Sequence, residues 1–183
     1  MKKVIHKFFW DWNFDKEEQW LNDMADKGFI LTSVGITGKY TFDECEPGEY
    51  TIRTEKLKHR ISHPESKQYI QFIEETGAEK IDNHLDWVYF KKKNDGTPFE
   101  LYSDNKSKIN QLNRLLGFLF ILAIFNLYIG GLNIYMAVTD FSRISNFNYI
   151  GLFNVLFSLI LFYGCYKLYK KRKKLKKETD IFE

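Results

Sequence analysis

Two kinds of apolar pattern divide the chain. From Leu115 to Val138 there are 24 residues without a charge, and from Ile144 to Tyr166 there are 23 more. The first run makes a helix of about 36 Å, longer than the roughly 30 Å hydrocarbon core of a bilayer. A polar segment, Thr139-Asp140-Phe141-Ser142-Arg143, separates the runs. The pattern predicts an antiparallel transmembrane hairpin, because in lipid only a helix or a closed barrel satisfies its own backbone.

Before Leu115 the apolar positions fall into short alternations. Val4 to Trp10 is apolar, β-branched and aromatic and reads as a strand. Asp15-Lys16-Glu17-Glu18 has the form of a capping box; Trp20, Leu21, Met24 and Ala25 follow at helical spacing, and Gly28 is the stop. Ile30 to Val34 reads as a second strand. Lys39 to Phe42 and Tyr50 to Glu55 alternate around Glu46-Pro47-Gly48, which predicts a hairpin. Ser62-His63-Pro64-Glu65 is a second capping box, followed by the apolar face of Tyr69, Ile70, Phe72 and Ile73, with Gly77 closing the helix. Trp87 to Phe90 and Phe99 to Tyr102 are further strands across Asn94-Asp95-Gly96, while Glu79 to His84 is ambiguous.

This order predicts an α+β fold, a ferredoxin-like sandwich with two helices on one face of a mainly antiparallel sheet, followed by the hairpin. The expected organisation is a cytoplasmic domain at 1–105, a helical connector at 106–114, spans at 115–138 and 144–166 around an outer loop at 139–143, and a polybasic tail at 167–183.

Charge sharpens the picture. The net of +3 hides a division: residues 1–114 carry 18 basic and 20 acidic groups, and residues 167–183 carry 8 basic and 3 acidic ones. The basic excess therefore lies beside a span, which argues against a nucleic-acid partner. Lys106, Lys108 and Arg114 precede the first run and the tail follows the second, whereas the loop has only Arg143. The positive-inside rule then places both termini in the cytoplasm of a multi-pass inner-membrane protein. Lys170, Lys171, Arg172, Lys173 and Lys174 are candidates for lipid headgroups. Tyr163, Tyr166 and Tyr169 suit the inner interface, and Phe147 and Tyr149 the outer one. After Met1, basic residues are followed by no sustained apolar run, so no secretory signal is expected.

Within the spans, Asn126, Gly130, Asn133 and Ala137 share one helical face, and Gly151, Asn154, Ser158 and Cys165 share another. Such small and amide residues serve helix contacts. They glue the hairpin together, or they receive a second copy or another membrane protein. No ionisable residue lies in either run, and two helices alone enclose no pore, so transport is not expected.

Candidate chemistry is sparse. His59 and His63 are four apart but straddle a helix entry, so no metal is expected. Cys45 lies among acidic residues, which oppose a thiolate, and its pairing with Cys165 in the apolar region is geometrically improbable. No phosphate-binding glycine loop or nucleophile elbow occurs, and no cofactor or catalytic set is expected. His84-Leu85-Asp86 could at most orient an imidazole. The acidic residues of the first helix read as a solvated face. Phe8, Trp10 and Trp12 share one face of the first strand as a candidate apolar ligand or interface patch, against the simpler reading of core plus strand edge.

Phe14, then Glu17-Glu18-Gln19-Trp20-Leu21-Asn22-Asp23-Met24-Ala25-Asp26-Lys27-Gly28, resembles the opening signature of a bacterial family, domain of unknown function family 2812. Trp87-Val88-Tyr89-Phe90-Lys91-Lys92 and Glu100-Leu101-Tyr102-Ser103-Asp104 are similar to it as well. The resemblance implies a polar N-terminal domain joined to a helical membrane segment, often encoded beside PadR-type repressors, and it carries no catalytic or ligand residues. The expected role is regulatory or sensory, through binding of an apolar compound or a partner. An accessory subunit of an export or resistance system is the alternative, and a membrane-tethered enzyme using His84 and Asp86 a further one.

Overall fold

A computed structural model describes residues 2–99, 101, 105–139 and 144–180, except the side chains of 105–107, 144–148 and 178–180. The chain forms two compact units, Met1–Ser103 and Asp104–Glu183.

The first unit is α+β and contains a duplication. Its elements are β1 (Lys3–His6), a 3-10 turn (Asp11–Asn13), α1 (Phe14–Ala25), β2 (Phe29–Val34), β3 (Lys39–Glu44), β4 (Tyr50–Lys56), α2 (Pro64–Glu75), β5 (Ala78–His84) and β6 (Trp87–Lys93). The strands form two three-stranded antiparallel sheets, ordered β1-β3-β2 and β4-β6-β5. Each is therefore a strand-helix-strand-strand unit whose third strand lies in the middle. An offset of 49 residues relates them. Ile5 pairs with Tyr40 as Thr54 pairs with Tyr89, and Val4 with Thr41 as Arg53 with Phe90. Leu21 and Met24 are buried on α1 as Ile70 and Ile73 are on α2. A left-handed glycine, Gly28 (φ 81°) or Gly77 (φ 85°), stands just before the second strand of each unit. Each second strand has a register shift after its third residue, between Leu31 and Ser33 and between Lys80 and Asp82.

Side chains join the two sheets. Val34 N–H on β2 donates to the Asp82 carboxylate on β5 at 2.9 Å. Helix α1 reaches across to β4, which is an edge strand. The Asn22 amide donates to Ile52 O at 3.0 Å and accepts from Ile52 N at 2.8 Å, as a neighbouring strand would. The Glu18 carboxylate accepts from Thr54 N at 2.7 Å and lies 3.5 Å from Arg53. These contacts satisfy backbone groups that an open edge would leave to water or to another chain.

Four expectations are corrected here. The α1 capping box does not form: the N-cap is Asn13, and Glu18 serves β4 instead. The second cap sits one residue later than predicted, with His63 Nδ1 accepting from Glu65 N at 3.3 Å and Pro64 opening the helix. The predicted β3–β4 hairpin is absent because those strands belong to different sheets. The Glu46–Glu49 turn does form, with Glu49 N donating to Glu46 O, but it carries the chain from one repeat to the next. Phe99 and Leu101 are not in a strand: Phe99 packs into the core of Leu57, Ile70, Ile73, Val88 and Phe90, and its carbonyl accepts from Arg53 Nε at 2.8 Å. Glu100 and Tyr102 lie outside the described residues.

The second unit is a pair of packed helices, α3 (Asn105–Thr139) and α4 (Ile144–Asp180). Helix α3 runs unbroken from the predicted connector through the first apolar run, and α4 continues through the basic stretch. Each contains a stretch long and apolar enough to cross a membrane, Lys108–Thr139 and Tyr149–Lys177. Buried positions recur along α4 at Gly151, Ser158, Leu161, Cys165 and Leu168, and along α3 at Leu112, Leu115, Leu119, Ala123, Gly130 and Ala137. These steps of three, four and seven place one seam on each helix, the geometry of left-handed antiparallel packing. The opposite faces expose Ile121, Phe125, Tyr128, Phe153 and Leu159, among others. The predicted outer-loop residues 140–143 and the Phe147 side chain lie outside the described residues.

Candidate functional site

A cavity of about 160 Å³ opens in the first unit where residues of both repeats meet. Its first wall is the aromatic run after β1. That strand is shorter than predicted, because Lys7 N bonds to Gly38 O at 2.9 Å and the chain then turns away. Gly38 has φ +69°, and a Cβ there would clash with Lys7 O, so no other residue fits. Phe8, Trp10 and Trp12 consequently do not share a strand face. Phe8 is exposed and meets Trp10 edge-on at 5.0 Å, and Trp10 stacks on Trp12 at 4.8 Å. Phe8 and Trp10 line the cavity, whereas Trp12 lies buried behind them.

The second wall comes from α1 and the middle strands. Phe14 and Glu17 are three apart and share a helix face, which presents both to the cavity. Phe14 packs on Trp87 of β6 at 5.4 Å. Glu17 Oε1 accepts the hydroxyls of Tyr40 and Tyr89, each at 2.7 Å. The two tyrosines are equivalent residues of the two repeats. Among the described residues Glu17 has no ion-pair partner, and neither of these bonds uses Oε2.

Burial holds the Glu17 carboxyl above its ordinary range. The Tyr89 and Tyr40 hydroxyls oppose that rise, Asp11 adds to it and His84 reduces it. Burial and the adjacent Glu17 charge push both phenols far above their usual values, so both remain hydrogen-bond donors at all accessible pH. Lys7 also lines the cavity, with its ammonium 5.0 Å from the Phe9 ring centre and 4.5 Å from that of Trp20.

The solvated-face reading of α1 is corrected by this arrangement. Glu17 and Glu18 both point into the fold. The signal was present in their spacing: Glu17, Leu21 and Met24 follow steps of four and three, and so do Glu18, Asn22 and Ala25. Both carboxylates therefore lie on the buried stripe. The 49-residue repeat would have paired Tyr40 with Tyr89.

His84 lines the cavity, but among the described residues no hydrogen bond joins it to the Asp86 side chain. His59 and His63 stack at 4.2 Å, and with Glu65 they bring one potential ligand atom each within 4.8 Å of one another, a grouping that could hold a metal ion and that their spacing at a helix entry did not lead one to expect. Cys45 and Cys165 are both free thiols, and burial, then Glu49 and Glu46, raise the Cys45 thiol. In the helical unit Gly130 and Gly151 face each other: a Cβ on Gly130 would lie 3.0 Å from Gly151 O, and one on Gly151 3.1 Å from Gly130 O. Ser158 is buried and donates to Val155 O at 2.7 Å. Asn126 and Asn133 donate along their own helix, to Leu122 O and Ile129 O. Asn154 is half-buried, and Lys170 to Lys174 lie on the last turns of α4.

The family described as protein of unknown function, DUF2812, matches residues 13–124. The chain belongs to that family. No curated protein and no solved structure matches it. The DUF2812 match begins at the N-cap of α1 and extends into α3. It therefore contains Glu17, Tyr40, His84, Trp87 and Tyr89, whereas Phe8, Trp10 and Trp12 precede it.

Proposed function

We propose that this DUF2812 protein is an integral membrane protein whose N-terminal domain binds a small ligand in the Glu17 cavity and relays occupancy through contacts with a partner. The observation that carries this reading is the cavity itself: an open cleft lined by aromatic residues and a partly buried carboxylate, a combination suited to a ligand site. Membrane insertion is supported by the two apolar helices, whose outward faces are apolar in a way that lipid, not water, accommodates. The charge of the flanks supports both termini on the cytoplasmic side of an inner membrane, with the basic end of α4 on anionic headgroups.

Self-packing of α3 and α4 accounts for the small-residue faces, since Gly130 and Gly151 face one another and the Asn126 and Asn133 amides bond within their helix. This weakens the export-subunit alternative, which needs those amides for a foreign helix. A membrane-tethered enzyme has one observation in its favour, the presence of His84 beside Glu17 in one cavity.

The test uses full-length protein in nanodiscs and follows Trp fluorescence while small aromatic compounds of different charge are added. Saturable changes that W10A abolishes support ligand binding; no change with any charge class refutes it. Turnover of a bound compound that H84N abolishes would favour the enzyme.

A further inference from the structure

The chemistry of the cavity goes further than its presence, on the reading that it is a ligand site. We propose that its ligand is a small organic cation, a quaternary or aryl-substituted ammonium, held between the Glu17 carboxylate and the aromatic wall.

Three observations select that class. The first is charge. Glu17 is half-buried and among the described residues it forms no salt bridge; its two hydrogen bonds both fall on Oε1, and His84, which also lines the cavity, acts on it through charge alone. Two neutral hydroxyls orient a carboxylate without neutralising it. Asp11 lines the same cavity, but the Lys56 ammonium pairs with its carboxylate at 3.1 Å, which leaves Glu17, among the described residues, as the carboxylate without a salt bridge there. An anionic ligand would meet the Glu17 carboxylate, and a neutral one would leave that carboxylate answered only by the His84 imidazole. Burial already raises the Glu17 carboxyl, so the site stabilises a positive guest that restores ionisation.

The second is the wall. Phe8, Phe9, Trp10, Phe14 and Trp87 line the same cavity as the carboxylate. Rings of this kind attract cations most strongly where water is excluded. The fold already uses the effect nearby, because the Lys7 ammonium rests over Phe9 and Trp20, and Lys56 lies 5.5 Å over Trp87. Lys7 is exposed and held by rings at the rim, not by Glu17.

The third is size. About 160 Å³ is close to the volume of a cavity that admits benzene. It holds a trimethylammonium head or one aromatic ring, with the rest of a larger guest projecting through the opening. A choline headgroup and a free organic cation share this chemistry.

The test is binding of benzyltrimethylammonium to the full-length protein in phosphatidylglycerol nanodiscs, followed by calorimetry and Trp fluorescence. Neopentylbenzene, the neutral carbon isostere, and benzoate are measured in parallel. The expected result is that the cation binds at least about tenfold more tightly than either. E17Q, which keeps an acceptor for both tyrosines, removes that preference. Weaker cation binding in phosphatidylcholine discs identifies the lipid headgroup as the competing source; equal binding identifies a free cation. If the isostere or benzoate binds as well as the cation, the proposal is overturned while the ligand site stands. If none of the three binds, both fall. The matched pair in the unmodified protein keeps the proposal falsifiable should E17Q fail to fold.

Discussion

Tyr40 and Tyr89 stand 49 residues apart at equivalent positions of two repeats, and both donate to the same oxygen of Glu17 at 2.7 Å. One carboxylate from the first repeat thus ties together the middle strands of both sheets. The corresponding residue of the second repeat, Ser66, has a different task, donating from Oγ to His59 O at 3.0 Å. The duplication supplied two similar walls, and a single acidic side chain made the space between them chemically distinct.

Y40F and Y89F each remove one hydrogen bond to a carboxylate and leave the ring in place. Each is expected to lower stability by about 1–3 kcal/mol. The double variant is expected to depart from additivity because both bonds share one acceptor. Thermal unfolding of the full chain in detergent, over the four-member cycle, measures both quantities.

Burial holds the Glu17 and Glu18 carboxyls above their ordinary value of 4.5. In the pH window between the unfolded value and the higher folded one, the folded state binds more protons than the unfolded one, so the contribution of these groups is full below the unfolded value and is lost as pH rises through the folded one. E17Q cannot titrate. The melting temperature of the wild type is therefore expected to fall relative to E17Q as pH rises from the acid side of that window toward neutrality. A constant difference across that range would show that Glu17 is not raised.

Asn22 bonds both backbone groups of Ile52 on an edge strand. N22A orphans a donor and an acceptor and is expected to cost about 1–3 kcal/mol. Hydrogen exchange at the Ile52 and Thr54 amides localises the effect: faster exchange at Ile52 is expected, with Thr54 retained by Glu18.

In the helical pair, G130A and G131A form a matched test. A Cβ on Gly130 meets Val155 Cγ2 at 2.8 Å and the Gly151 backbone at 3.0 Å, while one on Gly131 meets nothing within 4 Å. Overpacking at Gly130 is expected to cost about 1–3 kcal/mol. G131A is expected to be neutral or slightly stabilising. Disulfide crosslinking between cysteines introduced on α3 and α4 reports separation of the pair in the first variant only.

Local patterns were legible wherever one element decides its own structure. Leu21 and Met24 mark the stripe of α1, Pro64 marks the start of α2, and Gly28 and Gly77 mark their ends. Partnership between elements was not legible in the same way. Tyr50 to Lys56 alternates as any hairpin strand would, and nothing in that segment states that β6, 30 or more residues later, is its neighbour. The Asp15–Glu18 pattern matched a local cap, but the bond from Thr54 N gave Glu18 a different partner.

The amino-acid sequence alone determined the division of this protein. A charge-free run needs no tertiary partner to suit lipid, so the two helices long and apolar enough to cross a membrane follow from composition and length. The same holds for the helix stops and the strand alternations, whose causes lie within a few residues. Tertiary structure decided which sheet each strand joined, and it decided the surroundings of Glu17. The ionisation and hydrogen bonding of a carboxylate depend on what surrounds it, and here the partners, Tyr40 and Tyr89, arrive from 23 and 72 residues away.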